Sequence, residues 1–292
     1  MKLEEGVGLA RFTTIGTGGS ARWLAKPETL DELQELLRCA RDEGHAVATI
    51  GLGSNVLVHD DGVDALVLKL TGSLAEARVE GTALIAGGGA TNAVCLHRAR
   101  DAGLAGFEFA AAIPGTVGGG VRMNAGAWGH EFQDVLVEAV VVDAEGVRTL
   151  AADELDLSYR HSALGPGQVV AQAQLALEPS EPAEIKAAVA ELLAQRRSTQ
   201  PTNKRTFGSV FKNPSPELGA GRAIEQSGLK GHRIGGARIS PVHANFIENA
   251  GGATSADALA LMAEARKRVH AQFGVELEHE VRFLGPLLLP PL

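Results

Sequence analysis

The sequence predicts an α+β protein of two or three domains, and three observations predict it. Helical periodicity and strand-like runs are interleaved along all 292 residues. Two glycine loops, each following an apolar strand pattern, precede a third and longer one. RRSTQPTNKRT (196–206) is polar, basic and proline-containing, and reads as a linker between domains. A composition of 45% hydrophobic and 21% charged residues is ordinary for a globular chain of this size.

Residues 28–43 place Leu30, Leu33, Leu37 and Ala40 at three- and four-residue spacing. Asp31 and Glu32 open the pattern and Gly44 follows it, which predicts an amphipathic helix. AVATI (46–50) reads as a buried strand that empties into GLGSNVLV (51–58). DALVLKL (64–70) is another strand. ALIA (83–86) leads through GGGAT to a helix, TNAVCLHRARDAG, stopped by Gly103. VLVEAVVVDAEGVRTL (135–150) reads as a hairpin and VVAQAQLAL (169–177) as a half-buried strand. EPAEIKAAVAELLAQRR (181–197) is a helix with Pro182 near its first turn and basic residues at its end. After the linker, GSVFKNP (208–214) holds a strand-like VFK. The stretch 220–252 mixes short strands with glycine turns. TSADALALMAEARKRVHAQF (254–273) is a helix capped by Thr254 or Ser255, opened by Asp257 and closed by Gly274. VELEHEVRFLG (275–285) is expected to be the last strand. Val275, Leu277, His279, Val281 and Phe283 share one face, and Glu276, Glu278, Glu280 and Arg282 the other.

The chemistry is organised around IPGTVGGGVRMNAGAWG (113–129). Gly115, Gly118, Gly119 and Gly120 lack a β-carbon, so they can take positive φ and let a rigid ligand lie on the backbone. Consecutive N–H groups in such a turn form a concavity for phosphate. Met123, Ala125 and Trp128 add apolar surface for a flat ring. The alternative is a plain glycine-rich surface loop. GLGSN (51–55) is a second anion loop, with Ser54 and Asn55 as side-chain donors. Neither loop has the glycine spacing of the dinucleotide fingerprint or the lysine of a P-loop.

A net charge of −8 and few aromatics argue against nucleic-acid binding. Cys39 and Cys95 imply neither a disulfide framework nor a metal cluster, and a reducing cytoplasm fits. MKLEEGVGLARF lacks the apolar core of a signal peptide, and LLLPPL is too short to span a membrane.

Five side chains stand out. Arg160, in LDLSYRHSAL, suits bidentate binding of a carboxylate, or sits in a surface turn. Ser209 follows Gly208, where serines commonly just satisfy a turn. Lys212 and Asn213, before Pro214, suit a polar ligand. Glu280 lies among other carboxylates, which are normally solvated.

Together the segments are specific. GLGSNVL (51–57), IPGTVGGGVRMNAGAWG (113–129), SYRHS (158–162), GSVFKNP (208–214), AGRAIEQSGLKGHRIGGARISPVHANFIEN (220–249) and LEHEVRFLG (277–285) resemble, in order, the UDP-N-acetylenolpyruvoylglucosamine reductase (MurB) family of peptidoglycan synthesis. The likeness runs from about residue 11 to 285. It implies a two-lobed FAD-binding domain of the PCMH, vanillyl-alcohol-oxidase-like type, with lobes at 1–62 and 63–198, and a smaller α+β substrate-binding domain at 199–274. The last strand, 275–285, would return to the second lobe.

The resemblance also implies residue roles. FAD would be held without a covalent link by Gly51, Gly53, Ser54, Asn55, Val56 and Leu57, and by Pro114, Gly115, Thr116, Gly118, Gly119, Asn124 and Ala125. NADPH would reduce it. Hydride would pass from flavin N5 to C3 of the enolpyruvyl group, and Ser209 would protonate C2. Arg160 and Glu280 would hold and polarise the substrate carboxylate, with the Glu280 pKa raised. Lys212, Asn213, Gln226, His243 and Asn245 would lie near the UDP-sugar. The implied protein is cytoplasmic, with no nucleic-acid or membrane partner and a monomer as its expected state. Only 49 positions (209 − 160) separate Arg160 from Ser209, and Tyr159 is the single tyrosine, so the chain resembles the shorter subclass without a tyrosine lid. The competing readings are an oxidase or dehydrogenase of the same FAD fold with another substrate, and a non-catalytic nucleotide-sugar or flavin binder. GLGSN lacks the histidine that tethers flavin in many such oxidases, since His59 comes only after the strand.

Overall fold

The computed structural model describes residues 3–292. They group into two compact units. One holds the residues up to Glu5, Trp23–Leu52 and Ala65–Arg196; the other holds Gly6–Arg22, Gly53–Asp64 and Arg197–Leu292.

The first unit is built on an antiparallel five-stranded sheet. Its order is Val147–Ala151, Leu136–Val142, Val169–Ala176, Ala83–Gly87 and Ala77–Glu80. The expected hairpin is present, with Val142 opposite Val147. The central strand is buried on both faces. On one side Val169 and Ala171 pack with Leu33, Leu36, Leu37 and Ala40 of helix α1 (Leu30–Asp42). Thr29 caps that helix by accepting the Glu32 N–H, satisfying a donor that the first turn leaves open. On the other side Ala173 and Leu175 pack with Cys95 and Ala99 of α2 (Asn92–Asp101) and with Phe107, Phe109 and Phe132. These phenylalanines meet edge-to-face at centroid distances of 5.5–5.9 Å, the favoured geometry for ring quadrupoles. The third glycine stretch forms a short helix, α3 (Val117–Arg122). The unit ends on α4 (Pro182–Thr199), which starts at Pro182 and runs into the polar stretch where the chain changes unit.

The second unit packs α5 (Ala220–Gln226) and α6 (Ser255–Phe273) against a three-stranded sheet of Arg233–Ile234, Ala237–Ile239 and Ile247–Asn249. Thr254 and Asp257 close a reciprocal capping box on α6, and Gly274 ends it at φ 67°. Leu57, Phe207, Val210, Leu261 and Met262 fill the core.

Three expectations change. Residues 208–214 form no regular strand; only Phe211 bridges, to His279. Burial alternates along 275–283, yet hydrogen-bonded strand is confined to Arg282–Leu284. That strand lies parallel to Val56–Val58 rather than returning to residues 63–198. Leu57 belongs to the core of the second unit, which is why its strand takes a C-terminal partner. The two units therefore interleave in sequence.

Cys95 is buried, which pushes its thiol up to about 12, and Cys39 is exposed. Among the described residues no His/Cys/Asp/Glu group can hold a metal, and no helix is long and apolar enough to cross a membrane.

Candidate active site

In the first unit the glycine loops pack on one another. A β-carbon on Gly51 would lie 2.6 Å from Thr116 Oγ1. Lys69 Nζ donates to the Gly51 carbonyl at 2.7 Å, and its pKa is lowered, chiefly by burial and then by the Lys26 charge. The expected positive φ at Gly115, Gly118, Gly119 and Gly120 is absent; Gly118–Gly120 are helical. The Val117 and Gly118 N–H groups donate to Ala90 O and Gly88 O, both at 2.9 Å. These glycines serve close packing instead. A β-carbon on Gly118 would lie 2.9 Å from Gly88 O, and one on Gly120 would enter the Phe132 ring. Gly119 is exposed, and a β-carbon there would meet Thr116 Oγ1 at 3.7 Å, an ordinary contact. Beside Leu52, Pro114 and Gly115 a cleft of about 390 Å³ opens, so the loops border a ligand-sized space.

Asn124 is fully buried and spends its amide inside the fold. Oδ1 accepts the Gln133 N–H, and Nδ2 donates to Glu131 Oε2 at 2.8 Å and Ser158 O at 3.0 Å. It thereby holds the loop bearing Arg160. Arg160 has φ 57°, a strained value for a residue with a β-carbon. Its Nη2 donates to Gly126 O at 2.9 Å, and its Nη1 lies 3.4 Å from Glu131 Oε1. Glu131 escaped the sequence reading. Its signal was the Glu-x-x-Asp pair with Asp134 that boxes the turn at Phe132. Lys69, a lone lysine ending an apolar strand, left no comparable signal.

In the second unit a backbone ladder joins the first loop to the serine and glutamate segments. Gly208 N–H donates to Ser54 O at 2.7 Å. Asn55 Nδ2 donates to Glu280 O at 2.8 Å. Glu280 N–H donates to Val210 O and Val210 N–H to Asn245 O, both at 2.9 Å. Asn245 Oδ1 accepts Phe211 N–H at 3.0 Å while its Nδ2 donates to Phe211 O at 2.8 Å. Ser209 is thus fixed on both sides, half-buried between Gly208 and Val210.

The remaining expected contacts surround this ladder. Lys212 Nζ pairs with Glu278 Oε1 at 2.6 Å, and Asn213 Oδ1 accepts the Ala220 N–H at the start of α5. His243 Nδ1 accepts the Asn245 N–H at 3.2 Å. Burial, then the Lys230 charge, lowers the His243 pKa, which favours the neutral ring that this bond needs as acceptor. Gln226 ends α5, is exposed, and joins the fold through its carbonyl, which accepts from Gln272 at 3.4 Å. The structure gathers Ser209, Glu280, Asn55, Lys212, His243 and Asn245 in one unit. It gathers Arg160, Asn124, Thr116 and Gly115 in the other.

Residues 21–150 match the family described as FAD binding domain. Residues 200–284 match the C-terminal domain of UDP-N-acetylenolpyruvoylglucosamine reductase. The UDP-N-acetylenolpyruvoylglucosamine reductase 2 of Symbiobacterium thermophilum is 45% identical over 279 residues, covering 95% of this chain and 90% of that one. The reductase of Sphingopyxis alaskensis is 42% identical over 286 residues, covering 97% and 95%. The crystal structure of the reductase (MurB) from Thermus caldophilus superposes with a TM-score of 0.85 at 36% identity, covering 97% and 99% of the two chains. A fold with the loops of an FAD-binding domain, a serine and a glutamate fixed on one ladder, and relatives alike over nearly their whole length lead to one conclusion: the chain belongs to the UDP-N-acetylenolpyruvoylglucosamine reductase family and is an FAD-dependent oxidoreductase.

Proposed function

We propose that this chain reduces UDP-N-acetylglucosamine enolpyruvate to UDP-N-acetylmuramate in the cytoplasm, with NADPH as reductant. The observation that carries the reading is the single backbone hydrogen bond between the residues flanking the proton donor and the carboxylate, Val210 O to Glu280 N–H at 2.9 Å. It supports a site where an acid and a polarising group act on one substrate.

Bound FAD supplies the hydride, which goes to C3 of the enolpyruvyl group; the rest falls to side chains. As C3 gains hydride, C2 gains electron density and the carboxylate becomes enolate-like. Arg160 offers a permanent charge and a planar fork to that carboxylate. Glu280, acting protonated or through a relay, stabilises the enolate oxygens. Ser209 gives its proton to C2, closing the new C–H bond, and is reprotonated from solvent. Lys212, Asn213 and Gln226 lie toward the nucleotide-sugar. The single tyrosine, Tyr159, lies with its ring 4.9 Å from the Arg160 guanidinium carbon, so closure over substrate proceeds without a tyrosine lid.

The visible spectrum under anaerobic conditions tests this. NADPH is expected to bleach the flavin, and the enolpyruvyl substrate alone to restore the colour. Bleaching without recovery means another acceptor. A chain that stays colourless with added FAD removes the cofactor assignment.

A further inference from the structure

The strained backbone of the first unit is gathered in one place. Among the described residues, four that are not glycine have left-handed φ: Asn124 at 40°, Trp128 at 58°, Asp156 at 43° and Arg160 at 57°. Two lie in 124–131 and two in 156–160, and Asn124 Nδ2 joins the segments by donating to Ser158 O at 3.0 Å. Arg160 sits in the tight turn 158–161, closed by the His161 N–H donating to Ser158 O at 3.0 Å. Positive φ at that place in a turn favours glycine or asparagine. Such strain persists only where the surroundings over-determine it, and it clusters at functional sites.

Glu131 is the group that ties these strained segments together. Its Oε2 accepts from Asn124 Nδ2 at 2.8 Å and from Gln133 Nε2 at 3.1 Å. Its Oε1 lies 3.4 Å from Arg160 Nη1, and the Arg160 and Glu131 side chains are only 18% and 20% exposed. The same carboxylate caps the turn at Phe132 by accepting the Asp134 N–H. Capping alone does not call for glutamate, since serine, threonine, asparagine and aspartate are favoured there. What the longer side chain adds is reach to Arg160 while Oε2 stays pinned. Gly126 O holds the Nη2 end of the same guanidinium at 2.9 Å. Held at both ends, the planar fork keeps one orientation.

We infer that Glu131 is a positioning residue for the reduction of the enolpyruvyl group: it acts on Arg160 rather than on the substrate, and fixes the plane in which Arg160 meets the substrate carboxylate. This rests on the reading that Arg160 binds that carboxylate. A donor fork aimed in advance need not reorganise as charge develops on the carboxylate. A small misplacement of it is costly. The effect belongs to the second half-reaction, because reduction of the flavin by NADPH brings no carboxylate to Arg160.

A double-mutant cycle on the full chain holding FAD tests this, with each half-reaction followed by flavin absorbance. Glu131→Gln keeps the side-chain volume and an acceptor but removes the charge. It is expected to lower kcat/KM for the enolpyruvyl substrate by about tenfold, with bleaching by NADPH unchanged. In an Arg160→Lys background the same change is expected to cost less than about twofold, since the group that Glu131 aims is already lost. Losses that multiply, or a Glu131→Gln chain that turns over as wild type does, overturn the inference. So does equal slowing of both half-reactions with a lowered thermal midpoint, the mark of a purely structural cap. Glu131→Asp, which keeps the charge and shortens the reach, carries the same cycle if the glutamine variant does not fold. It too is expected to lose enolpyruvyl turnover only where Arg160 is present. Arg160→Lys alone matching wild type removes the carboxylate role of Arg160, and the inference with it. Reduced wild-type flavin that the enolpyruvyl substrate fails to reoxidise removes the reaction itself, before any variant is made.

Discussion

Glu280 donates its backbone N–H to the carbonyl oxygen of Val210, and Asn55 Nδ2 caps the Glu280 carbonyl from the other side. The position of the glutamate is thus fixed by the segment that carries Ser209 and by the first glycine loop. Replacing the serine hydroxyl leaves this framework untouched. Ser209→Ala is expected to bind FAD and be bleached by NADPH as before. Reoxidation by the enolpyruvyl substrate is expected to slow by about 10²–10⁴, the usual reach of a general acid. Stopped-flow absorbance separates the two half-reactions, and an unchanged second phase would remove Ser209 as the donor.

Asn245 acts on that framework from its buried side. Its amide satisfies both polar backbone groups of Phe211, so Asn245→Ala strands a buried N–H and C=O together. A loss of about 2–3 kcal/mol is expected in urea denaturation. Flavin binding should fall only as far as the folded fraction does. A stability change within the error of the measurement would mean that water replaces the clamp.

Arg160 is held by Gly126 O and Glu131 at an uncommon backbone angle, which aims its fork. Arg160→Lys keeps the charge and the backbone but loses the paired donors. A drop of about 1.5–3 kcal/mol in transition-state stabilisation, roughly 10- to 150-fold in kcat/KM for the enolpyruvyl substrate, is expected. NADPH oxidation in the first half-reaction should be unaffected. Equal kcat/KM for the lysine variant would show that Arg160 meets no carboxylate.

The helix cap gives a pH prediction. Backbone hydrogen bonding from Thr254 is the main cause lowering the Asp257 pKa, with Gly236 adding to it and burial opposing it. A carboxylate depressed in the folded state stabilises the fold above its unfolded pKa of about 3.9, and that stability is lost as pH falls through the lower folded value. Asp257→Asn is therefore expected to cost about 0.5–2 kcal/mol at pH 7. The gap from wild type should close below about pH 4, as the wild-type carboxyl gains its proton. Thermal midpoints across pH 3–7 check it; a gap that widens on acidification reverses the sign.

The sequence carried the local elements well, because caps and periodicity are local. Thr29, Thr91 and Thr254 cap the helices whose starts their neighbours predict. What it hid is long-range. Arg282–Leu284 looks like any alternating strand, and only Leu57 in the second core explains why it pairs with Val56–Val58. The glycines of the third loop were legible as special, but for the wrong reason: steric room beside Gly88 and Phe132 rather than left-handed backbone. Asn124 and Asn245 were legible as polar residues near a site. That their amides are spent on Ser158 and Phe211 depends on partners 34 residues away.

The two cysteines differ sharply in environment, one exposed on α1 and the other buried with its thiol pushed to about 12. A thiol reagent therefore meets a single reactive group in the native chain and a second only when the layer around α2 opens. The delayed labelling of Cys95 becomes a built-in clock for that opening, readable by mass spectrometry without any added probe. Run with and without FAD, the same clock reports how strongly the cofactor holds the layer shut, independent of turnover.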